Sequence, residues 1–283
     1  MTGALIIAGF ALRESVRKRV FIVVAILTVA FLALYGLGTW QIAKEADELG
    51  NTDGVQGEIV AGATLLGLSM FATLFLGAIL AVFLTLGAVR GDAERGLLQP
   101  LLVRPLSRGT FLLGRFLAAG SVCAAYVIVV FLASAVITHI FVGWWPDRVI
   151  VPAIELGAGV AIIAALALAG SVVLSSTANG IAIFMLFGAG LTAGLLGQIA
   201  EAIGSDSLDD ISRIATWALP FEALYQAGLA DLSADTVGFT RLAVDLGPFG
   251  GAQAFGTWLW PYTFVYIAVV GALALRAFRH TDL

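Results

Sequence analysis

The chain has 283 residues, of which 60% are hydrophobic and only 12% charged, with a mean hydropathy of +1.01. An ordinary soluble domain carries about 25% charged residues; this balance excludes a cytosolic enzyme, a secreted domain and a disordered chain, and it defines an integral membrane protein. The net charge of −4 matters less than its distribution, and the single cysteine, Cys123, excludes an intramolecular disulfide.

In chain order, residues 1–19 read as an amphipathic helix lying on the inner leaflet, with Leu5, Gly9, Leu12 and Val16 on one stripe and Arg13, Arg17, Lys18 and Arg19 beside it. A cleavable signal peptide is not expected, because the apolar run Gly3–Leu12 precedes its positive cluster. Six apolar runs without Asp, Glu, Lys or Arg follow at 20–40, 59–89, 116–142, 156–174, 181–200 and 258–275. They approach or exceed the roughly 20 residues that a span needs. The second is longer than required and must tilt or project. Helices are the expected form, since lipid satisfies no backbone groups and the short alternating segments of a barrel are missing. The fold class is therefore an all-α integral membrane protein, a single transmembrane domain over 1–283 with six helices.

The connections differ in character. Residues 41–58 are short and acidic, 90–115 are the most basic, and 175–180 form a tight uncharged turn. Residues 201–257 are acidic and Gly-rich. Their Trp217, Pro220, Phe221, Leu224 and Tyr225 suit short helices at the outer interface. With both termini placed in the cytoplasm, 11 of the 15 basic residues fall inside and 15 of the 19 acidic residues outside. That asymmetry favours six spans with both termini cytoplasmic. No internal repeat of the kind seen in many secondary transporters is evident.

Missing chemistry narrows the function. A P-loop needs Gly-Lys-Ser/Thr, and the only lysines, Lys18 and Lys44, follow Arg17 and Ala43. His139 and His280 are too far apart for a zincin helix, and no Gly-x-Ser-x-Gly elbow occurs. No catalytic, cofactor-binding or metal site is expected in this chain. Gly188–Ala193 partly mimics a dinucleotide fingerprint but lies inside an apolar run and reads as helix packing. No charge sits deep in any span, which argues against an ion-coupled carrier. Gly190-x-x-x-Gly194 and the stripe Ala161, Ala165, Ala169 let helices approach closely, with packing inside the subunit favoured over a dimer contact. His139 reads as an interfacial histidine beside Trp144 and Trp145, Glu155 as a helix N-terminal acid, and Cys123 as a packing residue.

The basic loop is the most informative stretch. A charged patch, Asp92, Glu94 and Arg95, precedes the leucines Leu97, Leu98, Leu101 and Leu102, which are interrupted by Pro100. Pro105 follows, and Ser107 suits the N-cap of the third helix. Leucines in such a loop either dock into a partner's groove or rest on lipid with the arginines on phosphates, and the residues alone leave both open.

This loop resembles the signature of the export-type ABC transporter permeases of the second class, the ABC type-2 family. The resemblance rests on Glu94, Gly96, Leu101, Leu102, Arg104, Pro105, Ser107, Arg108, Gly114 and Arg115. Leu97 departs from the usual Thr, and Gln99-Pro100 from a common Glu. The N-terminal stretch with Phe10, Leu12, Arg13 and Glu14 is similar to the family's amphipathic helix. Leu219–Tyr225 is similar to its Pro-Phe-x-Ala-Leu segment before the last span. The resemblance implies a six-span permease in the cell membrane, a homodimer or a pair with a related permease, forming an export path. It implies a separate ABC ATPase subunit that holds ATP and Mg, and no nucleic-acid partner. It also carries the ATPase-coupling role to Glu94, Gly96, Leu97, Leu98, Leu101, Leu102, Arg104 and Pro105. Relatives carry drugs, lipids, peptides and small inorganic cargo, so it selects no single substrate. The alternative is a membrane scaffold or assembly factor that transports nothing.

Overall fold

A computed structural model of the protein describes residues 9, 19–49, 57–86, 107–146, 148–232 and 252–280. Every element among them is helical: α1 (Arg19–Leu49), α2 (Gly57–Thr85), α3 (Arg108–Val142), α4 (Ile150–Val173), α5 (Ser176–Ile203), α6 (Asp206–Ala218), α7 (Pro220–Leu232) and α8 (Leu259–His280). Six of them, α1 to α5 and α8, are long and apolar enough to cross a membrane, which bears out the six-helix architecture. The third helix begins at Arg108, eight residues before the apolar run, because Ser107 caps it: the Ser107 side chain accepts from the Thr110 N–H at 3.1 Å. Gly143, at φ +78°, closes the other end, donating its N–H to the His139 carbonyl.

Helix α4 is the hub, packed against α2, α3, α5, α7 and α8. Small residues permit the close approaches. A Cβ on Gly77 of α2 would collide with Val127 of α3 and Val160 of α4, so the three helices meet at backbone distance there. The main core gathers Leu66, Met70 and Leu74 of α2, Val127 and Phe131 of α3, and Leu156, Ile162 and Ile163 of α4 around this contact. A smaller cluster of Phe111, Leu112, Leu168, Val172, Ala274 and Phe278 joins the start of α3 to the ends of α4 and α8.

Helix α1 joins α3 through two hydroxyl pairs, Thr28 with Tyr126 and Tyr35 with Thr138, both at 2.6 Å. Position numbers rise together along both helices, so α1 and α3 run parallel, as first and third spans of an alternating bundle must.

Helices α6 and α7 are short, thirteen residues each, and both fold back against the bundle. Helix α6 folds back along the second half of α5, where the Ser212 hydroxyl donates to the Ala193 carbonyl at 2.7 Å. The turn into α7 lies opposite Gly190, the middle of α5: a Cβ on Gly190 would stand 2.6 Å from the Phe221 ring. Helix α7 then runs antiparallel to α4, with Phe221 against Gly159 and Gly228 against Pro152. The pair is a re-entrant hairpin whose tip reaches mid-bundle. Eleven of the thirteen residues of α7 are buried.

The turn is only partly covered, with Trp217 and Leu219 half-buried and Ala218 exposed, and lipid would leave unsatisfied the carbonyls that α6 presents at its C-terminus. Two tyrosines of α8 bond two of them, Tyr262 donating to the Trp217 carbonyl at 2.6 Å and Tyr266 to that of Ala218 at 3.0 Å. Pro220 opens α7, where a missing N–H costs nothing. These contacts hold the turn against α8, while Phe221, Leu224 and Tyr225 beyond it are buried.

Candidate functional site

Two regions carry functional chemistry: the helix ends that flank the basic loop, and the buried polar groups of the hairpin. The residues expected to couple to an ATPase, Glu94, Gly96, Leu97, Leu98, Leu101, Leu102, Arg104 and Pro105, lie outside the described residues, as do Arg13, Arg17 and Lys18. Arg19 opens α1.

The loop leaves α2 after Thr85 and enters α3 at the Ser107 cap. Arg108, the first helical residue, donates to the Phe278 carbonyl near the end of α8 and sits over the Phe278 ring, 5.2 Å from its centroid. A guanidinium on the last carbonyls of a helix suits its negative end. Phe111 adds a ring contact to Phe278 at 6.3 Å. Arg115 lies inside α3 over the Phe111 ring. The start of α3 is thus fastened to the end of α8, and Leu168 and Val172 of α4 pack against the same cluster.

The hairpin holds polar groups that hydropathy concealed. Glu222 and Gln226 are buried one turn apart, and Gln226 Nε2 donates to Glu222 Oε1 at 3.2 Å. Glu222 Oε2, Gln226 Oε1 and the Tyr225 hydroxyl have no hydrogen-bond partner among the described residues. Burial pushes the Glu222 carboxyl up to about 8 and raises the Tyr225 phenol, because desolvation penalises the charged forms. The sequence placed Tyr225 in an interfacial aromatic cluster and singled out neither Glu222 nor Gln226 as a buried polar group. Their only signal was a Glu and a Gln four apart beside a proline, which an outer interface would also accept.

Glu155 lies in the second turn of α4 and is buried, its Oε2 within 3.4 Å of where a Gly228 Cβ would stand. It therefore packs against the hairpin and belongs to the interior. At the exposed end of the hairpin, Arg148 pairs with Asp231 at 2.9 Å. Gly190 packs on Phe221, so the glycine pair serves the subunit's own bundle. His139 meets Trp145 edge-on at 5.5 Å, and Cys123 is fully buried. No cluster of three or more His, Cys, Asp or Glu able to hold a metal occurs among the described residues.

Six long apolar helices, with a hairpin of two short helices before the last, define a multi-pass membrane protein. Residues 5–283 match the family model described as ABC-2 family transporter protein, and the chain belongs to that family as a permease subunit. It is similar to the probable ABC transporter permease protein NosY of Pseudomonas aeruginosa, 33% identical over 130 residues, covering 46% of this chain and 43% of the relative. The corresponding protein of Stutzerimonas stutzeri is 32% identical over the same shares. The match therefore spans less than half the length of these curated relatives.

Proposed function

We propose that the chain works as a pair, with a second copy or a related permease, to form the path of an ATP-driven exporter in the cytoplasmic membrane. ATP and Mg are held by a separate ABC ATPase subunit. Both termini and the 87–106 loop lie in the cytoplasm, as the excess of basic residues there supports. ATP binding moves the partner, and the loop passes that motion to α2, α3 and α8.

The observation that carries this reading is the joining of α3 to α8 through Arg108, Phe111 and Phe278 at the loop's attachment. A displacement of the loop acts there on several spans together, which a two-state coupling element requires. The exposed apolar faces of α1 and α5, including Val29, Leu34, Met185 and Ile199, support a pair in which part of each face meets the second permease and the rest meets lipid; α2 joins them along the path by family resemblance.

The test is co-purification from mild detergent followed by an ATPase assay. An ATPase should accompany the wild-type protein and be lost or uncoupled in a Leu98→Asp, Leu101→Asp variant. A folded protein that retains no ATPase in several detergents, with the variant indistinguishable from it, would favour the scaffold reading.

A further inference from the structure

A crevice of about 280 Å³ opens between the first turns of α3, the last third of α4 and the second half of α8. Every residue lining it is Gly, Ala, Leu, Ile or Phe; Leu113, Phe116, Ala169, Ile267, Gly271 and Leu275 mark its walls. Two alanines of the small-residue stripe, Ala165 and Ala169, line this space. Along α8 the crevice runs from Ile267 to Leu275, about 12 Å at 1.5 Å per residue. It is about twice the volume of a ~150 Å³ cavity that holds benzene, and it sits at the low edge of the ~300–1,000 Å³ range of ligand pockets. That fits a stretch of one alkyl chain.

Its basic end is what identifies the occupant. Gly109 and Leu275 line that end, and each adjoins an arginine, Arg108 and Arg276. Arg279 follows Leu275 by one turn on the same face of α8, and Arg276 and Arg279 are both exposed. Arg108, bonded to the Phe278 carbonyl, holds the two helix ends together there. An apolar slot that ends beside two exposed arginines matches an amphiphile with an alkyl chain and an anionic head.

We propose that this crevice is a binding site for an anionic phospholipid of the inner leaflet, one acyl chain lying against Gly271 and Ala169 and the phosphate beside Arg276 and Arg279. Gly271 borders open space, since a Cβ there would meet nothing within 4 Å, so a long side chain has room to enter the slot. The bound chain completes the packing between α3 and α8, the two helices tethered at the loop. The assignment to the inner leaflet rests on the orientation proposed above; the binding itself does not, so either can fail alone.

The probes are phosphatidylglycerol and phosphatidylcholine carrying a diazirine in mid-chain, added separately to delipidated full-length protein in neutral detergent. Labelled residues are mapped by mass spectrometry. Phosphatidylglycerol should label the peptides holding Leu113, Ala169 and Ile267, and phosphatidylcholine much less. Arg276→Gln with Arg279→Gln should remove that preference, at about fivefold per arginine. Gly271→Leu should plug the slot and abolish labelling there while sparing labelling on the outer faces of α1 and α5, which also reports that the variant is folded. Equal labelling by both lipids, or undiminished labelling of the Gly271→Leu variant, would each overturn the proposal.

Discussion

Helices α1 and α7 invert the usual relation between hydropathy and burial. The span in α1 is among the most apolar in the chain, yet only 11% of its most apolar window is buried. Helix α7 carries Glu222, Gln226 and Asp231, yet eleven of its thirteen residues are buried. In water this would be a misfolded protein. In a bilayer, lipid solvates Leu and Val as well as a protein core does, so apolarity no longer drives a helix inward. What holds α7 inside is shape: Phe221 fits against Gly190 and Phe187, Gly228 against Met70 and Pro152, and two carbonyls of the turn before it are bonded by Tyr262 and Tyr266.

The comparison breaks most severely at Gly190. A Cβ there would stand 2.6 Å from Phe221 Cζ and 2.8 Å from Cε2. That ring cannot yield cheaply, because Phe221 is fully buried and stacked on Phe187 at 5.8 Å. Gly190→Leu should displace the hairpin tip and cost more than the ~1–3 kcal/mol typical of overpacking. Size-exclusion profiles in detergent should show loss of the monodisperse species. The matching change at Gly188, where a Cβ meets nothing within 4 Å, should leave the profile intact.

A second effect comes from Glu222. Its folded pKa is raised to about 8 by burial, so the folded state holds the proton more tightly than the unfolded chain. The stabilising contribution of the neutral acid is full below the ordinary carboxylate range near 4.5 and is lost as pH rises through about 8. Thermal unfolding of the wild type should move to lower temperature across that window. Glu222→Gln, which is neutral at every pH, should flatten the dependence and gain stability relative to wild type at the alkaline end. An equal slope in both proteins would remove Glu222 as its source.

The sequence made six spans legible because each is a long uncharged run, and length with lack of charge is what a bilayer selects. It made the Ser107 cap legible because a hydroxyl before a helix after a proline has one common role. The depth of α7 was not legible. Trp217 to Tyr225 read equally well as an interfacial belt, and only the tertiary partners decide: Gly190 for the Phe221 ring, Tyr262 and Tyr266 for the carbonyls of α6. Glu155 was hidden for the same reason, since an acid near a helix start suits both the interface and the interior. The coupling residues stand on family resemblance, and their side chains lie outside the described residues.

The smallest effect sharpens the other half of the comparison. If lipid solvates α1, its attachment to the bundle depends on contacts that lipid cannot replace, and the hydroxyl pairs to α3 are of that kind. Tyr35 and Thr138 are buried and 2.6 Å apart, and Thr138 also donates to the Ser134 carbonyl at 3.0 Å. Tyr35→Phe keeps the ring and its stacking on Phe31 and removes only the hydroxyl. The expected loss is about 0.6 kcal/mol and at most about 2, the range for hydrogen bonds between membrane helices. The partner variant Thr138→Val should cost a similar amount. The double variant should cost less than the sum of the two, because each single change already breaks the shared bond. Leu34→Ala, on the exposed face of α1, removes more apolar surface than either yet should leave the monomer's unfolding midpoint unchanged. A Leu34 effect on the monomer larger than that of Tyr35 would mean that α1 is held by apolar packing after all.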